Sequence, residues 1–164
     1  MELHDLIEIH EICRLKYRYL RALDQKLWDV LAGCLTEDAT ASYGGGSYTF
    51  GSRAEILAFL AETMDSTKVL SSHRCGQPEI DLLGPDEATG TWALQDVVVR
   101  LDVDITIAGA AFYSDRYRRV DGQWLIAHTG YKRTYEEIFP RASISGLQVT
   151  ADWWATDGRS TLRA

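Results

Sequence analysis

The order of secondary-structure patterns along the chain constrains its fold more than any other feature. Helical patterns fill the first part of the chain, and from Lys68 onwards long segments rich in Thr, Val and aromatic residues predict strands. This order is typical of an α+β fold in which helices pack on one face of an antiparallel sheet. If the sheet curves strongly and the helices close it, a concave pocket remains between them.

The first helix is predicted from Glu2 to about Lys26, because no Gly or Pro interrupts this stretch. Two neighbouring rows of side chains, spaced by three and four residues, give it a broad buried face. One row contains Leu6, Ile9, Cys13, Tyr17, Leu20 and Asp24, and the other contains Ile12, Lys16, Tyr19 and Leu23.

Two further helices are predicted before the strands begin. A short one starts at Trp28 and runs toward Leu35, with Thr36–Asp38 as its end. Ser52 is a good N-cap, and Glu55 three residues later completes a capping-box pattern, so a third helix is predicted over Arg53–Met64.

The predicted strands alternate with turn signals. Asp121-Gly122 lies between two apolar, aromatic-rich segments and is the strongest hairpin signal in the chain. The main predicted strands are Ala39–Tyr43, Lys68–Leu83, Glu87–Asp104, Ile105–Val120 and a last one from Gln123 to about Tyr135.

Composition narrows the functional classes. The chain has 164 residues, which favours a single domain, and a net charge of −7 from 17 basic and 24 acidic residues. Nucleic acids and anionic membranes require basic surfaces, so neither partner is expected. The charged N-terminal helix resembles neither a signal peptide nor a membrane span, and a cytoplasmic location is predicted.

Motif searches argue against several kinds of catalysis. Cys13, Cys34 and Cys75 are odd in number and widely spaced, so neither a disulfide framework nor a cysteine zinc site is predicted. There is no HExxH, P-loop, GxGxxG or GxSxG motif. We therefore expect no metal and no cofactor.

Residues 1–140 are predicted to form the domain. Residues 141–164, with Trp153 and Trp154, are predicted to form a tail that packs on the domain or on a neighbouring subunit.

Tyr19, Asp24 and His73 are the main candidates for a catalytic site. A carboxylate that orients a histidine, with a phenol nearby, can move a proton without a metal. Asp24 ends the first helix on its apolar side, where the helix dipole disfavours a carboxylate unless a group such as a histidinium compensates. The alternatives are a helix-end carboxylate in water and a histidine that is exposed or bonded within the core.

Further candidates are aromatic or basic. Tyr19 and Tyr43 are either core aromatic residues or phenols that polarise a carbonyl or assist a leaving hydroxyl. Arg133 is either a solvated charge or a group at the pocket mouth. His128 shares a predicted strand face with Trp124 and Ile126, so it is either a second proton carrier or a core histidine. Some of the strand aromatics are expected to line a pocket for a flat ring, the alternative being that they fill the core; they are Trp92, Phe112, Tyr113 and Tyr117.

From Leu6 to Tyr135 the chain resembles the SnoaL-like families of the nuclear transport factor 2 superfamily. The resemblance rests on four segments: RYLRALD at the end of the first helix, LTEDATASY, the DGQW hairpin and GYKRTYEE. It implies a cone-shaped α+β barrel in which N-terminal helices pack on a strongly curved antiparallel sheet around a pocket. Within the superfamily, the chain is most similar to cofactor-free lyases such as scytalone dehydratase, hexachlorocyclohexane dehydrochlorinase and bile-acid 7α-dehydratase.

The resemblance also implies residue roles. These lyases use an Asp–His dyad, which Asp24 and His73 match in position. The bile-acid dehydratase pattern adds two tyrosines and an arginine, matched by Tyr19, Tyr43 and Arg133. The dehydrochlorinase instead has a lysine where this chain has Tyr19 and a basic residue that meets Thr129, so a dehydratase fits better.

The implied function is dehydration of a cyclic, polyketide- or steroid-like hydroxy-ketone, a small hydrophobic ligand. An isomerase or cyclase of the same enolate type remains open. So does a noncatalytic binding or assembly role, such as that of the small subunits of ring-hydroxylating dioxygenases. The resemblance further implies a homo-oligomer, a trimer or a dimer.

Overall fold

A computed structural model describes residues 2–162, so the first residue of the predicted domain and the last two of the predicted tail lie outside the described part. Three helices precede most of the sheet in the chain. They are α1 (Leu3–Asp24), α2 (Trp28–Ala32) and α3 (Arg53–Met64). The strands are β1 (Leu35–Tyr43), β2 (Tyr48–Phe50), β3 (Val69–Leu82), β4 (Glu87–Arg100), β5 (Ile105–Val120) and β6 (Gln123–Pro140).

The six strands form one mixed sheet in the order β2-β1-β6-β5-β4-β3. The prediction of an α+β fold with helices packed on a sheet is confirmed, and the prediction that the sheet is wholly antiparallel is wrong. β1 pairs with β6 in parallel, and β2, α3 and the three strands β3–β5 lie between them in the chain. The sheet is not closed, since β2 and β3 stand at its two ends.

The buried face of α1 is narrower than predicted, since one of the two predicted rows is buried throughout and the other only in part. Ile12, Lys16 and Tyr19 are at most 1% exposed, whereas Leu6 and Tyr17 of the other predicted row are about half exposed. The helix therefore points the row that contains Lys16 and Tyr19 into the molecule. This orientation places Lys16 and Tyr19 in the interior, between the helix and the sheet.

Local signals fix two other elements. Ser52 Oγ accepts a hydrogen bond from Glu55 N at 3.3 Å, which caps α3 as predicted, while the Glu55 carboxylate accepts one from Gly51 N at 2.7 Å. Asp121 and Gly122 both have positive φ, as a two-residue hairpin turn requires. The predicted helical ending at Leu35 is wrong, because Leu35 already pairs with Ile126 of β6.

Two bulges in β6 change which side chains face the pocket. Arg116 pairs with His128 and Tyr117 with Ile126, so Ala127 is an extra residue. Ala110 pairs with Tyr135 and Ala111 with Arg133, so Thr134 is a second one. Each bulge reverses the side on which the following residues lie.

Gly109 allows the close approach that the second bulge requires. A Cβ built at this position would lie 2.5 Å from the Tyr135 carbonyl oxygen and 3.2 Å from Arg133 Nη1. We expect Gly109→Ala to lower the free energy of unfolding by about 1–3 kcal/mol, because the backbone of β6 must shift. Urea denaturation of the purified protein measures this change.

Gly76→Ala is the matched control, since a Cβ at Gly76 meets no atom within 4 Å. Its stability should equal that of the unsubstituted protein or slightly exceed it. Equal stability of the Gly109 and Gly76 variants would contradict the close-approach argument.

Candidate active site

The carboxylate of Asp24 joins the C-terminal end of α1 to strand β3. Its Oδ1 accepts a hydrogen bond from Ser71 Oγ at 2.8 Å and lies 2.6 Å from His73 Nδ1. Its Oδ2 accepts a third hydrogen bond, from His73 N at 2.8 Å. Ser71 and His73 reach the same carboxylate because residues two apart on a strand face the same side.

These contacts favour the ionised form of Asp24. Burial raises the pKa of Asp24, but the hydrogen bonds and charge of His73, together with Ser71, outweigh burial, so this pKa lies below its usual value. An ionised Asp24 accepts the proton of His73 Nδ1, which leaves the Nε2 lone pair free. A histidine whose tautomer is fixed in this way can act as a general base.

His73 lies on the wall of a cavity of about 190 Å³. Four tyrosines line it: Tyr19, Tyr43, Tyr113 and Tyr131. Its apolar wall is formed by Leu23, Phe59, Leu60, Met64 and Val98. A wider groove of about 340 Å³ lies outside, between α1 and the β5–β6 hairpin, but it is away from the dyad.

Tyr19 and Tyr43 form a hydroxyl pair at 3.1 Å. Both side chains are buried, and burial raises the pKa of each well above its usual value, so both stay protonated near neutral pH. Either hydroxyl can be the donor of this bond, and neither hydroxyl makes another hydrogen bond within the described residues. One phenolic proton of the pair is therefore available to a ligand in the cavity.

A second ion pair lies beside His73 in the cavity wall. Asp96 pairs with His73 across β3 and β4 and is 3% exposed. The Arg133 guanidinium donates to both Asp96 oxygens through Nη1 and Nη2, with Nη2 at 3.0 Å from Oδ2. A bidentate pair of this kind fixes the orientation of both groups.

The structure brings five of the predicted residues to this cavity, and Asp24 lies directly behind the histidine. The five are Tyr19, Tyr43, His73, Tyr113 and Arg133. Arg133 is less exposed than its polar neighbours imply, because the bulge at Ala127 puts it on the inward side of β6 together with Tyr131.

Four predicted ligand-binding residues lie elsewhere. Trp92 and Tyr117 are in the core, where Trp92 Nε1 donates to Tyr117 OH at 2.8 Å. Phe112 is 53% exposed, because it alternates with the inward-facing Tyr113. His128 lies outside the cavity with its Nδ1 2.7 Å from Thr40 Oγ1, since the bulge at Ala127 turns it away from the side that Ile126 faces.

Sequence reasoning missed three buried charged residues near the cavity. Asp96 lines it, and Lys16 and Asp115 form an ion pair behind its wall. A signal existed, since Asp115 alternates with Tyr113 and Tyr117, and Asp96 alternates with Leu94. A charged residue on the apolar side of a strand predicts a buried polar contact.

The model of the SnoaL-like domain matches residues 4–130, so the chain belongs to the SnoaL-like domain family. Its fold is that of the nuclear transport factor 2 superfamily.

Three solved structures show the same fold. A protein named as a candidate scytalone dehydratase, from Novosphingobium aromaticivorans, is 22% identical with a TM-score of 0.75, over 81% of this chain and 88% of the other. A hexachlorocyclohexane dehydrochlorinase, LinA-type3 from Novosphingobium barchaimii, is 19% identical with a TM-score of 0.75, over 91% and 98%. A Mycobacterium tuberculosis protein of unknown function is 24% identical with a TM-score of 0.69, over 79% and 73%.

Within residues 2–162, no group of three or more His, Cys, Asp and Glu side chains is arranged to hold a metal ion. No helix in the same range is both long and apolar enough to cross a bilayer.

The acid stability of the protein should depend on Asp24. Its pKa is lower in the folded chain than in the unfolded chain, so its contribution is present above about pH 4 and is lost as the pH falls through the folded value. We expect Asp24→Asn to lower the free energy of unfolding at neutral pH by about 1–3 kcal/mol, because three hydrogen bonds lose their charged acceptor. As the pH falls, the free energy of unfolding of the Asp24→Asn variant should decrease less than that of the unsubstituted protein.

Thermal denaturation followed by circular dichroism across the acidic range measures both effects. Asp81→Asn is the control, because Asp81 is exposed on β3. A variant at Asp24 with the same pH dependence as the unsubstituted protein would contradict the assigned pKa direction.

Proposed function

We propose that the protein is a lyase of the dehydratase type that acts without a cofactor on a cyclic hydroxy-ketone. The observation that carries this proposal is the Asp24–His73 pair at 2.6 Å, with His73 Nε2 free to act on a ligand in the cavity. Family membership supports the same class, since two of the similar structures bear the names of a dehydratase and a dehydrochlorinase.

His73 would abstract the proton on the carbon α to the carbonyl, and the electron pair left behind would form an enolate. Asp24 stabilises the resulting imidazolium, since its carboxylate is already hydrogen-bonded to Nδ1. When the enolate collapses to a carbon–carbon double bond, the β-hydroxyl leaves and takes a proton, so that water is released. That proton comes from the His73 imidazolium, directly or through Tyr43, which regenerates the base. Tyr43 forms a hydroxyl pair with Tyr19 that leaves one phenolic proton free, and we assign to Tyr43 the binding of the enolate oxygen or the protonation of the leaving hydroxyl.

The cavity favours small substrates within this class. Its volume of about 190 Å³ is below the roughly 300–1,000 Å³ of pockets that hold drug-sized ligands. The tyrosine and phenylalanine rings on its wall suit a flat ring. We therefore favour a compact, polyketide-like ring system over a steroid.

Replacement of His73 by Asn should remove turnover while the fold remains. We expect a loss of roughly a hundredfold to ten-thousandfold in kcat, the usual contribution of a general base. The measurement is the ultraviolet absorbance of the conjugated product, with a panel of cyclic β-hydroxy-ketones. Mass loss equal to one water identifies dehydration, whereas a product of unchanged mass identifies the isomerase alternative.

His128→Asn is the matched control, because His128 lies outside the cavity and bonds to Thr40. Its turnover should equal that of the unsubstituted protein. Full turnover by a folded His73 variant would refute the mechanism.

We also propose that the chain assembles into a homodimer or homotrimer. Three large side chains on the outer face of the sheet are well exposed, namely Val97, Phe112 and Tyr135. Light scattering on the eluting size-exclusion peak should give two or three times the chain mass of 18.4 kDa. A monomer mass at all accessible concentrations would contradict this proposal.

A further inference from the structure

A buried ion pair behind the cavity wall has no part in the proton transfer described above. Lys16 Nζ donates to Asp115 Oδ2 at 2.7 Å, and both side chains have 0% exposure. Tyr117 OH donates to the same oxygen at 2.8 Å, and Trp92 Nε1 donates to Tyr117 OH. Burying two charges costs several kcal/mol per ion and often gives no net stability, so the pair calls for another explanation.

The ammonium of Lys16 lies against the phenols of the cavity. It is 3.4 Å from the centroid of the Tyr113 ring and 5.2 Å from that of Tyr19. A cation in contact with an aromatic face is attracted by the ring's quadrupole, more strongly where water is excluded. It also draws electron density from the ring, which makes the phenol a stronger hydrogen-bond donor.

The hydroxyl of Tyr113 is available for such a role. Tyr113 lines the cavity and is 3% exposed, and its hydroxyl has no hydrogen-bond partner among residues 2–162. Burial, with the charge of Asp115 adding to it, raises the pKa of Tyr113 well above its usual value. The group is therefore a protonated donor near neutral pH and not a base.

Tyr113 and Tyr43 both contact the ring of Tyr131, which lies between them. The ring of Tyr131 stacks on Tyr43 with centroids 5.6 Å apart and meets Tyr113 edge-on at 5.7 Å. The hydroxyl pair of Tyr19 and Tyr43 leaves one phenolic proton free, since only one of the two is used between them. Two phenolic protons are thus presented to the same cavity from neighbouring wall positions.

We propose that Tyr113 and Tyr43 together bind an oxyanion of the ligand, and that Lys16 is a positioning residue that strengthens Tyr113 as a donor from behind its ring. The inference rests on the proposed function only in identifying this oxyanion as the enolate. Asp115 holds the ammonium against the ring and neutralises its charge in the interior.

The probe that tests this role is 4-nitrophenolate, with nitrobenzene as its uncharged counterpart. Dissociation constants are measured by titration at a pH where the phenol is ionised in water, and the visible band of the bound probe reports its ionisation. Tyr113→Phe should weaken 4-nitrophenolate binding by roughly ten- to a hundredfold, the effect of a lost hydrogen bond to a charge. Nitrobenzene binding should change by less than about twofold.

Lys16→Met combined with Asp115→Asn removes both charges and keeps an acceptor for Tyr117 OH. This double variant should weaken 4-nitrophenolate binding by roughly three- to thirtyfold, within the range of a desolvated cation–π contact. When the Lys16→Met and Asp115→Asn substitutions are added to Tyr113→Phe, the affinity for 4-nitrophenolate should not fall further, because Lys16 acts through Tyr113. A purely structural role would weaken both probes and would add to the effect of Tyr113→Phe.

Equal losses for 4-nitrophenolate and nitrobenzene, or binding of neither probe by the folded unsubstituted protein, would overturn the proposal. Its failure is distinguishable from failure of the lyase mechanism. Full turnover by the His73 variant would refute the proton-transfer mechanism and would not affect the probe titrations. Equal losses of affinity for the charged and the uncharged probe would refute the oxyanion role of Tyr113 and would not affect the Asp24–His73 pair.

Discussion

The hydrogen bonds to the carboxylate of Asp24 are the interaction on which the arrangement of the site depends. A carboxylate at the C-terminal end of a helix faces an unfavourable dipole, and here three donors from β3 compensate for it. One of them is the backbone N–H of His73, so the strand and the histidine ring are held by the same group. The docking of α1 on the sheet and the orientation of the proposed base therefore cannot be separated by substitution at this position.

Local patterns in the sequence predicted much of the fold. The bounds of α3 and β5 are those predicted, because capping, turn residues and period are encoded within each segment. The start of β1 and its parallel pairing with β6 were not predictable in this way. Leu35 adopts a strand conformation because it meets Ile126, which lies far along the chain, and no nearby residue signals that contact.

The candidate site was predictable where a motif carried it and unpredictable where contacts were remote. Tyr19, Asp24 and His73 were recognised by chemistry and spacing, and they lie together in the structure. The partnership of Lys16 with Asp115 could not be recognised, because it joins residues on different elements that no local pattern relates. The side of the sheet on which His128 lies depends on one extra residue, which strict alternation does not reveal.

The two bulges of β6 make one strand serve two surfaces. Trp124 and Ile126 are buried, His128 lies outside, Arg133 turns to the cavity and Tyr135 turns out again. Neighbouring residues of β6 are therefore constrained by different contacts, some with the cavity and others with the exterior of the molecule. During divergence of such a protein, loss or gain of a single bulge residue would exchange these two sets of side chains at once, so the strand can change ligand preference and surface contacts in one step.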